Sequence, residues 1–439
     1  MAAQTTLFLV SVADRPRFVE AVALARSSGH DVSYQFHDLL GLAVLTFVTE
    51  AVLKIMEKAG FAGSSALGGI WTPPYVERLS SANFRSVRYG DKASAARPKD
   101  LTRRRDEKPD RARDGTQPLA TTVDTLTRAM HPSLAWPLQV TGLEEAVATL
   151  TGEGVPVGLI DSGVNNDHFA VAGRVASFAV AELNGASCSV TERPVPFDRQ
   201  GHGTMVASVL KGHDASGAPL GLAPRCELHV VSVTRASTLQ WNDLQLVAAL
   251  EWLARKKVRL VNISLDAGTT PIPGHELVFT IARHCNMLPI VAIGNSGCGN
   301  PTTPGRASTA LSIGAMEAMD RVAGVSGCGA ISPTQGLPKL LAPAPLPVAV
   351  TTASMHSIVE SEPLTSFATP FVTGLAALLL QVCPSATVDQ LEAALLAPTG
   401  TSLARSGCTA CPGTTPVVNF KTALAKLREF GVCTGEHLL

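Results

Sequence analysis

Four side chains in this sequence carry groups that chemistry could use together: Asp161, His202, Asn295 and Ser366. Ser366 stands in Thr365-Ser366-Phe367-Ala368-Thr369-Pro370, ahead of the apolar run 375–382. A serine at the mouth of an apolar helix sits among backbone N–H groups at the positive end of the helix dipole. Negative charge that grows as a hydroxyl attacks a carbonyl is favoured there. A free hydroxyl is a poor nucleophile at neutral pH, so such a serine needs a base within hydrogen-bond reach. His202, in Gly201-His202-Gly203-Thr204, is a candidate to take that proton and return it to a leaving group. Asp161, which closes the run 155–160 as Asp161-Ser162-Gly163, can fix an imidazole tautomer. Asn295, in Gly294-Asn295-Ser296-Gly297, offers a side-chain N–H to an oxyanion. Singly, each has a plain alternative: a capped core helix, a Gly-flanked loop histidine, a strand-end aspartate, a turn asparagine. Jointly, each at the edge of an apolar element, they point to nucleophilic attack on a carbonyl.

The elements that must position these groups can be read from the hydrophobic pattern. Strands are expected at 155–160, 228–233, 260–265 and 289–293, and helices at 205–210, 244–255 and 277–284. That alternation predicts an α/β fold with a parallel sheet covered by helices on both faces. Asp161, Asp266 and Asn295 fall at the carboxyl ends of strands, where such sheets bind ligands. Pro370 is expected in the first turn of the helix behind Ser366, where its missing N–H costs little.

The order Asp, His, Ser with these flanks resembles the subtilisin-like serine proteases, through Asp161-Ser162-Gly163, His202-Gly203-Thr204, Gly294-Asn295 and Thr365-Ser366-Phe367-Ala368-Thr369-Pro370. The resemblance covers roughly 136–427, including a closing segment at 416–430. It implies a peptide or protein substrate, with Ser366 as nucleophile, His202 as base, Asp161 as its orienting partner and Asn295 as oxyanion donor. It further implies one wall of the primary specificity pocket at Ser264, Leu265 and Asp266, the opposite wall at Ala292, Ile293 and Gly294, and a substrate-pairing edge at Ala236, Ser237 and Thr238. Several residues depart from the family's pattern. Leu364 and Asp266 replace glycines, Phe367 a methionine, Phe371 a histidine, and Ala342-Pro343-Ala344 stands where Ala-Pro-Gly is common. Leu364 puts the backbone of the nucleophile loop in question. Asp266 either faces solvent or selects a basic residue before the scissile bond; the first is the simpler expectation.

Residues 1–90 read as a separate α+β unit in the order β-α-β-β-α-β, which is ferredoxin-like. Before a subtilisin-like domain, such a unit resembles the family's propeptide, implying an intramolecular inhibitor removed by self-cleavage. The alternative is an unrelated regulatory domain. Residues 91–135 form a basic, proline-containing linker with Arg103-Arg104-Arg105 and few large apolar residues, where a maturation cut is expected. Residues 136–439 form the larger domain.

Composition narrows the classes. The 439 residues are 46% hydrophobic and 16% charged with zero formal net charge, giving no electrostatic case for a nucleic-acid partner. No basic segment precedes the short apolar stretch 7–12, and no run reaches membrane-span length, so a cytoplasmic protein without a membrane span is expected. Nine cysteines include one C-x-x-C, Cys408-Thr409-Ala410-Cys411, with no second such motif or His pair, so no metal is expected; buried thiols, a redox pair or a local disulfide account for the cysteines. No carboxylate cluster resembles a calcium loop, so no cofactor is assigned and calcium stays open. The functional expectation is a self-maturing processing endopeptidase. A general degradative protease and a catalytically weak peptide-binding homologue are the competing readings.

Overall fold

A computed structural model describes residues 4–10, 12–61, 65–67, 70–71, 130–184, 187–234, 240–318, 320–332, 335–352, 355–411 and 413–434. In the N-terminal unit, β1 (Gln4–Leu9), α1 (Arg15–Ser27), β2 (Ser33–His37), β3 (Leu42–Val48), α2 (Glu50–Lys58) and β4 (Ser65–Leu67) follow one another. The strands form one sheet in the order β2-β3-β1-β4 with every pair antiparallel, the arrangement of two interlocked β-α-β units. Side chains alternate across this sheet. Phe8, Ala43 and Leu45 pack with Phe18, Val22, Val52 and Met56 of the two helices. Leu7, Leu42 and Val44 face the other way and join a cluster of the larger body. An antiparallel sheet usually leaves one face to water; here the second face is apolar because the larger body covers it. Beyond β4, β5 (Ile70–Trp71) pairs antiparallel with β10 (Trp241–Asn242).

The larger body is built on β6 (Pro156–Asp161), β7 (Val175–Asn184), β8 (Ser187–Arg193), α3 (His202–Lys211), β9 (Glu227–Ser232), β10, α4 (Asp243–Arg255), β11 (Leu260–Ile263), α5 (Pro273–His284), β12 (Leu288–Ala292), β13 (Leu311–Glu317), β14 (Arg321–Val322), β15 (Leu340–Pro343) and α6 (Thr365–Val382). The sheet order is β14-β13-β12-β11-β6-β9-β7-β8, with β15 also paired to β13. From β13 to β7 neighbours run parallel, and the pairs with β8 and β14 are antiparallel. The expected parallel sheet is therefore present with antiparallel strands added at its margins. The central strands are buried along their length, which is why they read as continuous apolar runs rather than alternations. Asn242 starts α4 with a capping box: its side chain accepts from the Leu244 N–H at 2.8 Å, and its own N–H donates to Gln245 Oε1 at 2.9 Å.

α6 is the core helix, with 17 of its residues buried from Thr365 to Val382. Among the described residues it is the one helix long and apolar enough to cross a membrane, yet 94% of that window is buried inside the protein. It begins earlier than expected. Pro370 lies inside the helix, not in its first turn. A proline there leaves the carbonyl four residues back, that of Ser366, without its helical donor. Ser264 Oγ supplies the bond instead, at 3.0 Å.

The expected basic linker, with its arginine cluster and maturation site, lies outside the described residues as far as 129. Leu134 is already part of the main core, so the larger body takes in residues before 136. Cys383 and Cys433 form a disulfide. Cys298, Cys328, Cys408 and Cys411 gather at one place, where the structure pairs Cys298 with Cys408 and Cys328 with Cys411. The C-x-x-C therefore closes no bond on itself. Cys188, Cys226 and Cys285 are free.

Candidate active site

Asp161 ends the central strand β6, and His202 opens α3. Asp161 Oδ1 lies 2.8 Å from His202 Nδ1 and also accepts from the Ser162 N–H at 2.7 Å. Both side chains are buried. Their approach depends on two glycines: a Cβ on Gly203 would fall 2.1 Å from the Gly163 carbonyl, and Gly163 itself has φ +123°. No residue with a side chain fits that crossing.

A fifth residue holds the pair together. Asp198 Oδ1 accepts from Ser162 Oγ (2.9 Å) and the Gly201 N–H (2.8 Å), while Oδ2 accepts from the Thr204 N–H (2.8 Å) and Thr204 Oγ1 (2.6 Å). Ser162 Oγ in turn accepts from the Gly203 N–H at 2.8 Å. Asp198 so ties the strand-end aspartate to the first turn of the histidine helix. Sequence reasoning passed over it, although a carboxylate just ahead of a helix start is a capping signal.

Burial opposes a positive charge on His202, but the charge and hydrogen bond of Asp161, with Asp198 and Asp266 adding to the field, outweigh it and raise the imidazole above its usual range.

Ser366 is the second residue of α6 and is buried. Its Oγ donates a long bond, 3.5 Å, to the Ser264 carbonyl. The next residue, Phe367, has its ring 6.3 Å from the His202 ring, so the start of α6 and the imidazole are neighbours. Leu364, at the N-cap, has φ −93° and ψ 146°. That is ordinary extended backbone, open to any residue; the missing glycine imposes no strain.

Leu364 offers no side-chain cap. Asn295 does this from a distant loop: its Oδ1 accepts from the Thr365 N–H at 2.9 Å and from Thr365 Oγ1 at 3.0 Å. A backbone N–H can only donate, so the amide orientation is fixed by chemistry, and the Asn295 NH₂ is turned away from Thr365. Asn295 is only partly buried, which leaves that NH₂ beside the N-terminus of α6 as a ready oxyanion donor.

The two expected pocket walls lie together. Ser264, Leu265 and Asp266 follow β11; Ala292 ends β12, and Ile293 and Gly294 continue from it. Thr302 and Thr303 bridge them, through Thr302 N–H to the Ile293 carbonyl (2.8 Å), Ala267 N–H to the Thr303 carbonyl (2.7 Å) and Thr303 N–H to the Gly268 carbonyl (2.8 Å). The expectation that Asp266 faces solvent fails, because the residue is 2% exposed. Trp241 Nε1 donates to its carbonyl oxygen at 3.0 Å. Burial pushes the Asp266 carboxyl up to about 7; the Gly268 backbone and the charge of His202 pull the other way without offsetting it. Ala236, Ser237 and Thr238 lie outside the described residues.

Comparison with known proteins gives the family. The subtilase family model matches residues 152–414, more than half of the chain. The chain belongs to the subtilase family. It is 30% identical over 281 residues to the subtilisin-like protease PopC of Myxococcus xanthus (strain DK1622), covering 59% of this chain and 58% of PopC. It is 32% identical over 236 residues to subtilisin Savinase of Lederbergia lenta, covering 54% of this chain and 80% of that protein. The chain spans 58% of PopC and 56% of the M-protease of Shouchella clausii (strain KSM-K16), so much of these relatives has no counterpart in the match. Among solved structures, the prenylagaramide maturation protease PagA superposes with a TM-score of 0.51 at 24% identity, over 66% of this chain and 98% of PagA. The protease domain of PatA, as its S218A mutant, gives 0.51 at 25% identity over 64% and 98%. The first of these likenesses carries the fold alone.

Proposed function

We propose that this subtilase is a serine endopeptidase in which Ser366 attacks the scissile carbonyl, His202 takes and returns the proton, Asp161 steadies the imidazolium, and Asn295 with the Ser366 N–H holds the oxyanion. The observation that carries this reading is the doubly anchored Asn295 carbonyl, which aims an amide donor across the N-terminus of the helix bearing Ser366. The 2.8 Å Asp161–His202 contact gives the base its orienting partner. The relaxed backbone of Leu364 weighs against the catalytically weak reading.

The N-terminal unit acts as inhibitor and maturation segment. Its sheet buries Leu7, Leu42 and Val44 in one cluster with Val247 and Leu250 of α4 and Phe279 of α5. His37 Nδ1 meets Glu251 Oε2 at 2.8 Å across that junction. Beyond the sheet, Ile70–Trp71 adds as an antiparallel strand beside Trp241–Asn242, just past the edge expected to pair with substrate at 236–238. A strand paired beside that edge is in the extended form a protease cuts.

Asp266 sets the specificity. Its buried carboxylate at one pocket wall favours a lysine or arginine before the scissile bond, since a cation there relieves an otherwise uncompensated buried charge. This fits a processing enzyme cutting after basic residues better than a general degradative one.

The test is the intact mass of purified protein over hours of incubation, wild type beside Ser366→Ala. Wild type is expected to split once within 72–129, after a basic residue, while the variant stays whole. Equal splitting of both, or of neither, refutes self-maturation; failure of a fluorophosphonate probe to label wild type refutes the nucleophile assignment itself.

A further inference from the structure

The four-cysteine cluster lies outside every role assigned so far, and it sits beside the oxyanion loop. Cys298 is three residues past Asn295, Cys328 follows the turn that closes against that loop, and Cys408 and Cys411 arrive from the C-terminal region. The four Sγ atoms all lie within 4.8 Å of one another. Between sulfurs not paired to each other, Cys328 and Cys408 are 3.8 Å apart and Cys408 and Cys411 3.2 Å.

Two independent disulfides need only two close pairs, and nothing in their chemistry draws all four sulfurs to a common centre. Four sulfurs allow three pairings; the structure takes up one of them, and the closeness of the unpaired sulfurs is what two disulfides leave unaccounted for. One central ion, by contrast, requires every sulfur to be near every other. With metal–sulfur bonds of about 2.3 Å, a tetrahedral thiolate set has sulfurs about 3.8 Å apart, which is the scale of the separations between sulfurs not bonded to each other. The local sequence agrees: Cys408-Thr409-Ala410-Cys411 supplies two ligands from one turn, and Cys298-Gly299 and Cys328-Gly329 each follow the cysteine with glycine. Gly299 has φ +76°, a backbone that lets the chain fold tightly around its cysteine. A four-thiolate zinc centre carries a net charge of −2, and a cation is at hand. The Arg405 guanidinium donates to Cys328 Sγ at 3.5 Å and is held in place by the Ser326 and Gly324 carbonyls.

We propose that Cys298, Cys328, Cys408 and Cys411 form a four-thiolate site for one zinc ion, which fastens the loop carrying Asn295 to the C-terminal region. On binding, the four thiols each release a proton and each forms one bond to the ion; no electron moves. Beyond the C-x-x-C such a site leaves no local pattern in the chain, because the other two ligands come from separate loops that only the fold brings in. This inference stands apart from the proteolytic reading and holds even if the chain cuts nothing.

The experiment uses full-length Ser366→Ala, produced in zinc-supplemented medium and alkylated in denaturant at lysis. In parallel, native protein is assayed for metal by elemental mass spectrometry. A zinc site predicts one zinc per chain and seven alkylated cysteines, the nine of the sequence less the two of Cys383–Cys433. It also predicts that cobalt replaces zinc with an intense thiolate-to-metal absorption band. Two disulfides predict no zinc and three alkylated cysteines, Cys188, Cys226 and Cys285, and that result overturns the proposal. Seven thiols that take up neither zinc nor cobalt on titration overturn it as well, as does iron in place of zinc. Cys411→Ser is expected to lower zinc content at least tenfold, whereas Cys285→Ser leaves it unchanged. Should Cys411→Ser fail to fold, the thiol count and metal content of the unsubstituted cluster still decide the matter.

Discussion

Replacing Asp266 by asparagine tests the specificity argument at two levels. The buried carboxyl keeps its proton to about pH 7, whereas an exposed aspartate loses it near about 3.9. An acid whose folded pKa lies above its unfolded one binds more protons folded than unfolded across that window, so stability falls as pH rises through it. The cost is absent below about pH 4, grows to about pH 7, and is constant beyond. Three units at about 1.4 kcal/mol each amount to about 4 kcal/mol, an upper figure because local opening admits water. An amide of the same size cannot ionise and carries no such slope. Urea unfolding of full-length Ser366→Ala, with and without Asp266→Asn, at pH 4.5 and pH 8 reads the difference directly. Part of that window is already passed at pH 4.5, so the variant is expected to gain on its parent by up to about 3 kcal/mol between the two pH values. In the Ser366 enzyme, matched peptides with arginine or glutamine before the scissile bond read the function. Loss of a charge-assisted contact of about 1.5–3 kcal/mol corresponds to a fall of roughly ten- to a hundredfold in the arginine preference. Parallel stability curves together with an unchanged arginine preference would refute both the burial argument and the pocket assignment.

Other perturbations follow from the same geometry. Asn295→Ala removes an oxyanion donor, and kcat is expected to fall about 10²- to 10³-fold with KM for a peptide substrate little changed. Asp161→Asn withdraws the leading attraction that raises His202. The acid limb of the pH–rate profile should then move to lower pH, and turnover should drop by an order of about 10⁴. Ser264→Ala leaves the Ser366 carbonyl, already deprived of a helical donor by Pro370, without its 3.0 Å bond; a loss of about 1–3 kcal/mol in urea unfolding is expected. His37→Ala strands Glu251, whose carboxyl is held down at about 2 by the His37 and Arg255 hydrogen bonds against the effect of burial. Faster trypsin cleavage between the N-terminal unit and the body of Ser366→Ala is the expected result, and unchanged cleavage would mean the apolar face alone holds them.

Much of this was legible in the chain because it rests on local signals. Continuous apolar runs marked β6, β11 and β12, and Asp161 at the end of one and the Gly294-Asn295 pair just past another are among the residues proposed to carry the chemistry. What escaped the reading depends on contacts between distant segments. Pro370 suggested a helix start, but Ser264 satisfies the carbonyl it exposes and so allows the helix to begin five residues earlier. Leu364 looked like a strained substitute for glycine, yet Asn295 caps the helix from 70 residues away and leaves Leu364 an easy extended conformation. Asp266 looked like a surface charge because no sequence pattern shows that Trp241 and the Thr303 segment close over it.

One of these long-range contacts, Asn295 with Thr365, holds the loop proposed to carry the oxyanion donor. An oxyanion donor is useful only if it stands in place before the charge develops, and Asn295 is carried on an irregular, partly exposed segment, where such precision is hard to keep. Three separate anchors fix it. Thr365 grips the amide carbonyl, the Gly327 N–H donates to the Gly294 carbonyl at 2.7 Å, and the Gly297 N–H donates to the Val325 carbonyl at 3.0 Å. The last two anchors belong to the turn that leads into Cys328, and the same loop ends at Cys298, so the sulfur cluster lies at the root of the segment that aims the donor. Loosening the cluster should therefore act on kcat more than on KM, because Asn295 would lose its aim while Asp161, His202 and the Ser264–Asp266 wall stay where their own bonds hold them.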